Sequence, residues 1–139
     1  MKALVIYDST YGNTEKIARA IGEAIGGQVR LVGEVNPANL YGFDLLFIGS
    51  PTHGGWFTEG IRDLLKASPA LEGVSVAVFD TRTKKSLFGF AAPRISRSLE
   101  KNGGKLAAPP EGFIVLGTQG PLLDGELQRA AKWAIEIAR

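Results

Sequence analysis

KALVIYDSTYGNTEKIARAI (residues 2–21) joins an apolar run to a helical pattern through a turn rich in hydroxyls and glycine. Lys2–Tyr7 is short and almost continuously apolar, which predicts a strand buried on both faces. Ile17, Ala18, Ile21, Ala24 and Ile25 recur at helical spacing until Gly26-Gly27 stops the helix. The turn between them, Asp8–Thr14, has two readings. In the first it merely starts a helix, with Gly12 or Asn13 as N-cap and Glu15 as a first-turn acid. In the second it is an anion cradle. Ser9, Thr10 and Thr14 then supply hydroxyls, Gly12 lets the backbone come close, and the helix offers unpaired amides and the positive end of its dipole. The residues of the turn leave both readings open.

Outward from this unit the same alternation repeats. Val29–Val35 alternates apolar and polar positions, as a half-exposed strand does. Leu45–Ile48 predicts a buried strand ending at Gly49-Ser50-Pro51, and Thr58–Lys66 a helix. Val74–Phe79 predicts a fourth strand, Ala91–Lys101 a helix, Phe113–Leu116 a fifth strand, and Glu126–Ala138 a last helix capped by Asp124. Five strand–helix alternations imply an α/β fold, a parallel sheet with helices on both faces, because each right-handed crossover covers one face. The 139 residues suit a single domain over 1–139.

Composition narrows the chemistry. Apolar residues make up 45% and charged residues 22%, as in a globular protein. There is no cysteine and one histidine, so thiolate zinc sites, iron–sulfur clusters and a thiol nucleophile are excluded, and an all-protein transition-metal site is disfavoured. No apolar stretch approaches the roughly 20 residues of a membrane span. The opening MKALVIY runs straight into patterned sequence with no leader, so a cytoplasmic setting is expected. The first loop also lacks two signatures. Without Gly-x4-Gly-Lys-Ser/Thr no lysine reaches for a β/γ-phosphate, and without Gly-x-Gly-x-x-Gly a dinucleotide pyrophosphate is not the expected guest. Hydroxyls and amides with no cation in the loop suit a terminal phosphate monoester, such as that of FMN.

The quoted stretch resembles the phosphate loop of flavodoxins, Thr/Ser-x-Thr-Gly-x-Thr leading into a helix. Ser9, Gly12 and Thr14 match, and Tyr11 replaces the central threonine. The form Tyr-Asp-Ser-x-Tyr-Gly-Asn-Thr-Glu-Lys is especially similar to the flavodoxin domain of flavodiiron proteins. In element order and length the resemblance covers the whole chain, of the short-chain type. It implies a three-layer fold with a five-stranded parallel sheet in order 2-1-3-4-5, and FMN as cofactor. Ligands of such open sheets sit beyond the carboxyl ends of the strands where the strand order reverses, a rule for which flavodoxins are themselves a reference case.

The resemblance points to three loops. Ser9, Thr10, Tyr11, Gly12, Asn13 and Thr14 would hold the phosphate. In GSPTHGGW (residues 49–56), Pro51, Thr52, His53, Gly54, Gly55 and Trp56 would contact the flavin ring, with Trp56 offering a stacking face or else packing under the next helix. The only histidine, His53, would make a polar contact or stand in solvent rather than act as acid or base. After the fourth strand, Asp80, Thr81 and Arg82 would lie nearest the ring. Typical flavodoxins stack a tyrosine there; here Phe88 or Phe90 would serve, or would be core. In the turn Gly117, Gly120, Pro121, no residue demands a chemical role.

Charge departs from the family. Thr81–Pro110 carries seven basic residues against Glu100 alone, net +6, while the remainder has nine basic and thirteen acidic residues, net −4. Ordinary flavodoxins are acidic. Arg82, Lys84 and Lys85 beside the ring would favour the anionic reduced flavin, since an opposite charge within about 4–6 Å stabilises a charged form. The expected consequence is a less negative potential for that couple. The expected function is that of an FMN-binding electron carrier between redox partner proteins, with acidic docking faces on those partners. The alternatives are a small flavin-dependent reductase of quinones or NAD(P)H, an enzyme similar to menaquinone-dependent protoporphyrinogen oxidase, or a module that has lost its cofactor. Nucleic acid is not expected, because the basic segment lacks interleaved aromatics at stacking spacing.

Overall fold

Alternate residues of each central strand go to opposite faces, and both faces are apolar. Leu4 and Ile6 join Leu46, Ile48, Val76 and Val78 in one core, while Val5 and Tyr7 join Phe47, Ala77 and Phe79 in the other. Such double burial requires a helical layer on each side. The computed structural model, which describes residues 1–139, supplies both. The strands are β1 (Ala3–Tyr7), β2 (Gln28–Leu31), β3 (Leu45–Pro51), β4 (Ser75–Arg82), β5 (Lys105–Leu106) and β6 (Glu111–Ile114). The helices are α1 (Asn13–Ile25), α2 (Glu59–Ala67), α3 (Ala91–Lys101) and α4 (Glu126–Ala138). Ile61 and Leu64 of α2 and Ile95 and Leu99 of α3 seal the first core; Ile17 and Ile21 of α1 and Ala130 and Ala134 of α4 seal the second. In the second core Trp133 meets the edges of Phe47, Phe79 and Phe113.

The sheet is parallel and runs β2-β1-β3-β4-β5, with β6 also paired to β4. This is the expected order 2-1-3-4-5. Three details differ from expectation. The second strand stops at Leu31, four residues early, because Val32–Glu34 winds into a 3₁₀ turn that packs Val32 against the first core. The fifth strand is in two pieces. β5 pairs with Ser75–Val76 and β6 with Phe79–Arg82, and between them Pro109-Pro110 has no N–H to continue the ladder. Asp124 does not cap α4. Gly125, at φ 89°, is the N-cap and no side chain accepts from the helix there.

Glu126 instead turns back from the first turn of α4. Its Oε2 accepts from Ile114 N at 2.6 Å and its Oε1 from Arg129 Nε at 2.8 Å. The Arg129 hydrogen bonds, helped by the Ile114 amide, outweigh burial and hold this carboxyl below the usual range. A depressed folded-state pKa gives stability that is complete above the unfolded value of about 4.3 and is lost as pH falls through the folded one. Glu126→Gln is therefore expected to cost about 1–3 kcal/mol at pH 7, the scale of hydrogen bonds to charged groups. The gap between wild type and variant in denaturant unfolding should close as the pH drops below about 4. A gap that stays constant down to pH 3 would show that the charge at Glu126 contributes nothing.

Candidate functional site

β1, β3 and β4 end side by side, and the loops that leave them enclose a cavity of about 290 Å³, near the lower end of the roughly 300–1,000 Å³ usual for small-molecule sites. Thr10, Tyr11, Asn13 and Thr14 wall it from the first loop; Pro51, Thr52, His53, Gly54 and Gly55 from the second; Thr81, Arg82, Lys85 and Phe90 from the third. Arg82 and Lys85 bring positive charge, and no carboxylate lines it.

The first loop is short of acceptors. Gly12, at φ 91°, is the N-cap of α1 and brings no side-chain cap, whereas α2 is capped by Thr58, whose Oγ1 accepts from Ile61 N. Ser9 Oγ accepts from Gly12 N at 3.0 Å. The amides of Thr10, Tyr11, Asn13, Thr14 and Glu15 find no acceptor in the protein. A run of orphan donors at a helix N-terminus favours negative charge beside it. Two hydroxyls frame it. Thr14, 1% exposed, shares a hydrogen bond with Thr81 at 2.8 Å between their Oγ1 atoms, and Thr10 Oγ1 lies 3.0 Å from His53 Nε2. Asp8 braces the loop from below. Its Oδ2 accepts from Thr58 Oγ1 at 2.6 Å, and its Oδ1 from Ser9 N at 2.9 Å.

The second loop reverses on Gly54 and Gly55, at φ 56° and 85°, while His53 and Trp56 exchange both backbone hydrogen bonds around them. Two successive positive φ values are what a two-residue hairpin turn of this hand requires, hence the paired glycines. Gly55 has a second reason to be glycine: a Cβ there would run into the Phe88 carbonyl of the third loop. Thr52 ties the same two loops at their bases, donating its amide to Thr81 O at 2.9 Å and accepting from Ala91 N at 3.0 Å. At the end of β4, where the third loop begins, Arg82 is fixed on every side. Asp80, wholly buried, accepts from its Nε and Nη2 at 2.6 and 2.8 Å and also from Ala92 N at 2.8 Å. The guanidinium carbon lies 3.7 Å from the Phe90 ring centroid, and only a glycine at 112 leaves room beside it.

Four of the expected contact residues lie outside the cavity wall. Ser9 and Gly12 shape the turn behind it. Asp80 points away into the layer beneath α3, where its carboxylate satisfies Arg82 and the start of that helix. Trp56 is on the outer surface, 53% exposed, with the Arg94 guanidinium 4.0 Å from its ring centroid and Phe57 against its edge. Of the two phenylalanines, Phe90 lines the cavity and Phe88 is 66% exposed. The expected cluster of three cations also changes: the Arg82 charge is compensated by Asp80, leaving Lys85 as the cavity cation without an ion pair. Sequence reasoning missed the fourth loop. Thr118 reaches the cavity and Gln119 O accepts from Asn13 Nδ2 at 3.2 Å. The only signal was a threonine within a glycine-bounded turn after the last strand.

The fold and the site together define a class: a small doubly wound α/β domain whose cavity, at the reversal of strand order, is walled by orphan amides, hydroxyls and the side chains of Arg82 and Lys85. The family profile described as Flavodoxin matches residues 5–133, and the chain belongs to the flavodoxin family, flavoproteins of electron transport. A flavodoxin of Maridesulfovibrio salexigens is 30% identical over 151 residues, spanning 99% of this chain and 97% of that protein. Among solved structures, a flavodoxin from the domain Archaea superposes with a TM-score of 0.82 at 25% identity, covering 99% of this chain and 96% of that one. Flavodoxin 2 from Bacillus cereus gives a TM-score of 0.87 at 24% identity over 99% and 98%, a likeness of fold. No helix is long and apolar enough to cross a membrane.

Proposed function

We propose that this chain binds FMN, with the phosphate on the first loop and the flavin ring between the second and third, and carries electrons between protein partners. The observation that carries this reading is the set of five amides without acceptors at the start of α1, framed by Thr10 and Thr14. A terminal phosphate would supply those acceptors without a lysine in the loop. FMN, when bound, supplies the redox chemistry; the chain's own residues bind, orient and set the field. Gly54 and Gly55 bring backbone to the ring side, Phe90 supplies an apolar wall, and Lys85 favours negative charge in the cavity. Thr10 and His53 join the phosphate side to the ring side through one hydrogen bond. The partners in this reading are redox proteins with acidic docking faces, met in the cytoplasm.

The test is a titration of flavin-free protein with FMN, FAD and riboflavin, followed by quenching of flavin fluorescence. Tight binding of FMN and much weaker binding of riboflavin is expected. Absence of binding by all three would reduce the first loop to an uncapped helix start and end the proposal.

A further inference from the structure

Arg94, in the first turn of α3, joins three pieces of surface. Its Nε donates to Gly55 O at 2.9 Å, its Nη2 donates to Phe88 O at 2.8 Å, and its guanidinium covers the Trp56 ring. Both bonds go to carbonyls, so the charge is held in place with no counter-ion. Arg97 and Lys101 follow three and seven residues on, along the same face of the helix. With Trp56 and Phe57 these three cations wall a surface groove of about 290 Å³. Beyond Arg94 the third loop presents Leu87, 95% exposed, and Phe88, with the exposed Lys84 three residues before Leu87 in the same loop. Among Lys84, Arg94, Arg97 and Lys101 there is no ion pair with a carboxylate. A bare leucine and two exposed aromatic rings ringed by unpaired cations make a patch that water does not favour and an acidic surface would.

We infer that this patch, with Leu87, Phe88 and Trp56 at its centre and Lys84, Arg97 and Lys101 around it, is the seat of an acidic redox protein whose carboxylates surround an exposed apolar side chain. The patch borders the cavity, because Gly55 belongs to both the cavity wall and the Arg94 cluster. The chain outside Thr81–Pro110 carries net −4, so an acidic partner is drawn to this patch in preference to the rest of the molecule, and the encounter is oriented before contact. The electron-transfer part of this inference rests on the FMN reading; the docking part does not.

The experiment uses the full chain, ¹⁵N-labelled, before and after addition of FMN, mixed with zinc-substituted plastocyanin as a redox-inert acidic probe with an apolar patch. Amide shifts are expected in residues 54–57 and 84–101 and should vanish at high salt. Arg97→Glu with Lys101→Glu should weaken the binding about tenfold or more, within the range of electrostatic steering. Leu87→Ser should weaken it with the salt dependence unchanged. The same charge change on the opposite layer, Lys132→Glu with Arg139→Glu, should leave it within about twofold. With FMN bound and reduced, oxidation by copper plastocyanin should follow the same order among the variants. Shifts centred elsewhere, or equal loss in the α4 control, would overturn the inference, and so would identical shifts with a single-stranded oligonucleotide, which would assign the patch to nucleic acid. A chain that fails to bind FMN still gives the amide shifts, so the two proposals fail separately.

Discussion

Asp80→Ala is expected to lower the unfolding free energy by about 3–5 kcal/mol, the cost of breaking a buried ion pair by removing one partner. The carboxylate is wholly buried and accepts three hydrogen bonds, two from Arg82 and one from Ala92 N. Its loss strands a guanidinium that is only 18% exposed. That group has nowhere to go, for Phe90 covers one face and the backbone at Gly112 lies close beside it. The amide at the start of α3 loses its acceptor in the same step. Replacing both partners, Asp80→Asn with Arg82→Met, should cost markedly less than Asp80→Ala, because no charge is then left unpaired. Urea unfolding of the wild type and the two variants at neutral pH decides this. A cost below about 1 kcal/mol for Asp80→Ala would mean that the pair is incidental to the fold.

Thr10→Asp should weaken FMN binding roughly a hundredfold while leaving thermal stability where it was. Thr10 is exposed at the cavity mouth, and exposed substitutions away from caps and cores usually change stability by less than about 0.5 kcal/mol. A phosphate about 5 Å from the new carboxylate meets a repulsion of about 3 kcal/mol at an effective dielectric of about 20, and that energy is roughly a hundredfold in affinity. Thr10→Asn has the same size without the charge and is expected to stay within about tenfold of wild type. If aspartate and asparagine weaken binding equally, the anion does not sit against the first loop.

Much of this architecture is written in short-range patterns. The bounds of α3 and α4 follow from apolar spacing and from the glycines that end or begin them, and both cores follow from the continuous apolar runs of β1, β3 and β4. What failed to show was decided by contacts between distant segments. Val32 leaves the second strand because a neighbouring core pulls it in, and the one local signal in Val29–Val35 is Gly33, which the 3₁₀ turn contains. The fifth strand breaks at Pro109-Pro110, whose missing N–H groups are a local signal. In the site, residue types pointed to the right loops but not to side-chain direction. Asp80 lies next to Thr81 in sequence, yet one faces the layer under α3 and the other shares a hydroxyl bond with Thr14. Trp56 lies beyond the cavity wall because Arg94, thirty-eight positions away, offers its ring a cation on the surface.

The break between β5 and β6 bears on how the molecule behaves in company. Each of the sheet's two outer rims is a template onto which a foreign strand can add. One rim is the four residues of β2, cut short by a 3₁₀ turn; the other is two residues and then four, interrupted by two prolines. Neither offers a foreign strand the unbroken row of donors and acceptors that fibril growth needs. Its outermost strands are short and interrupted, a build that disfavours the edge-to-edge addition of further copies.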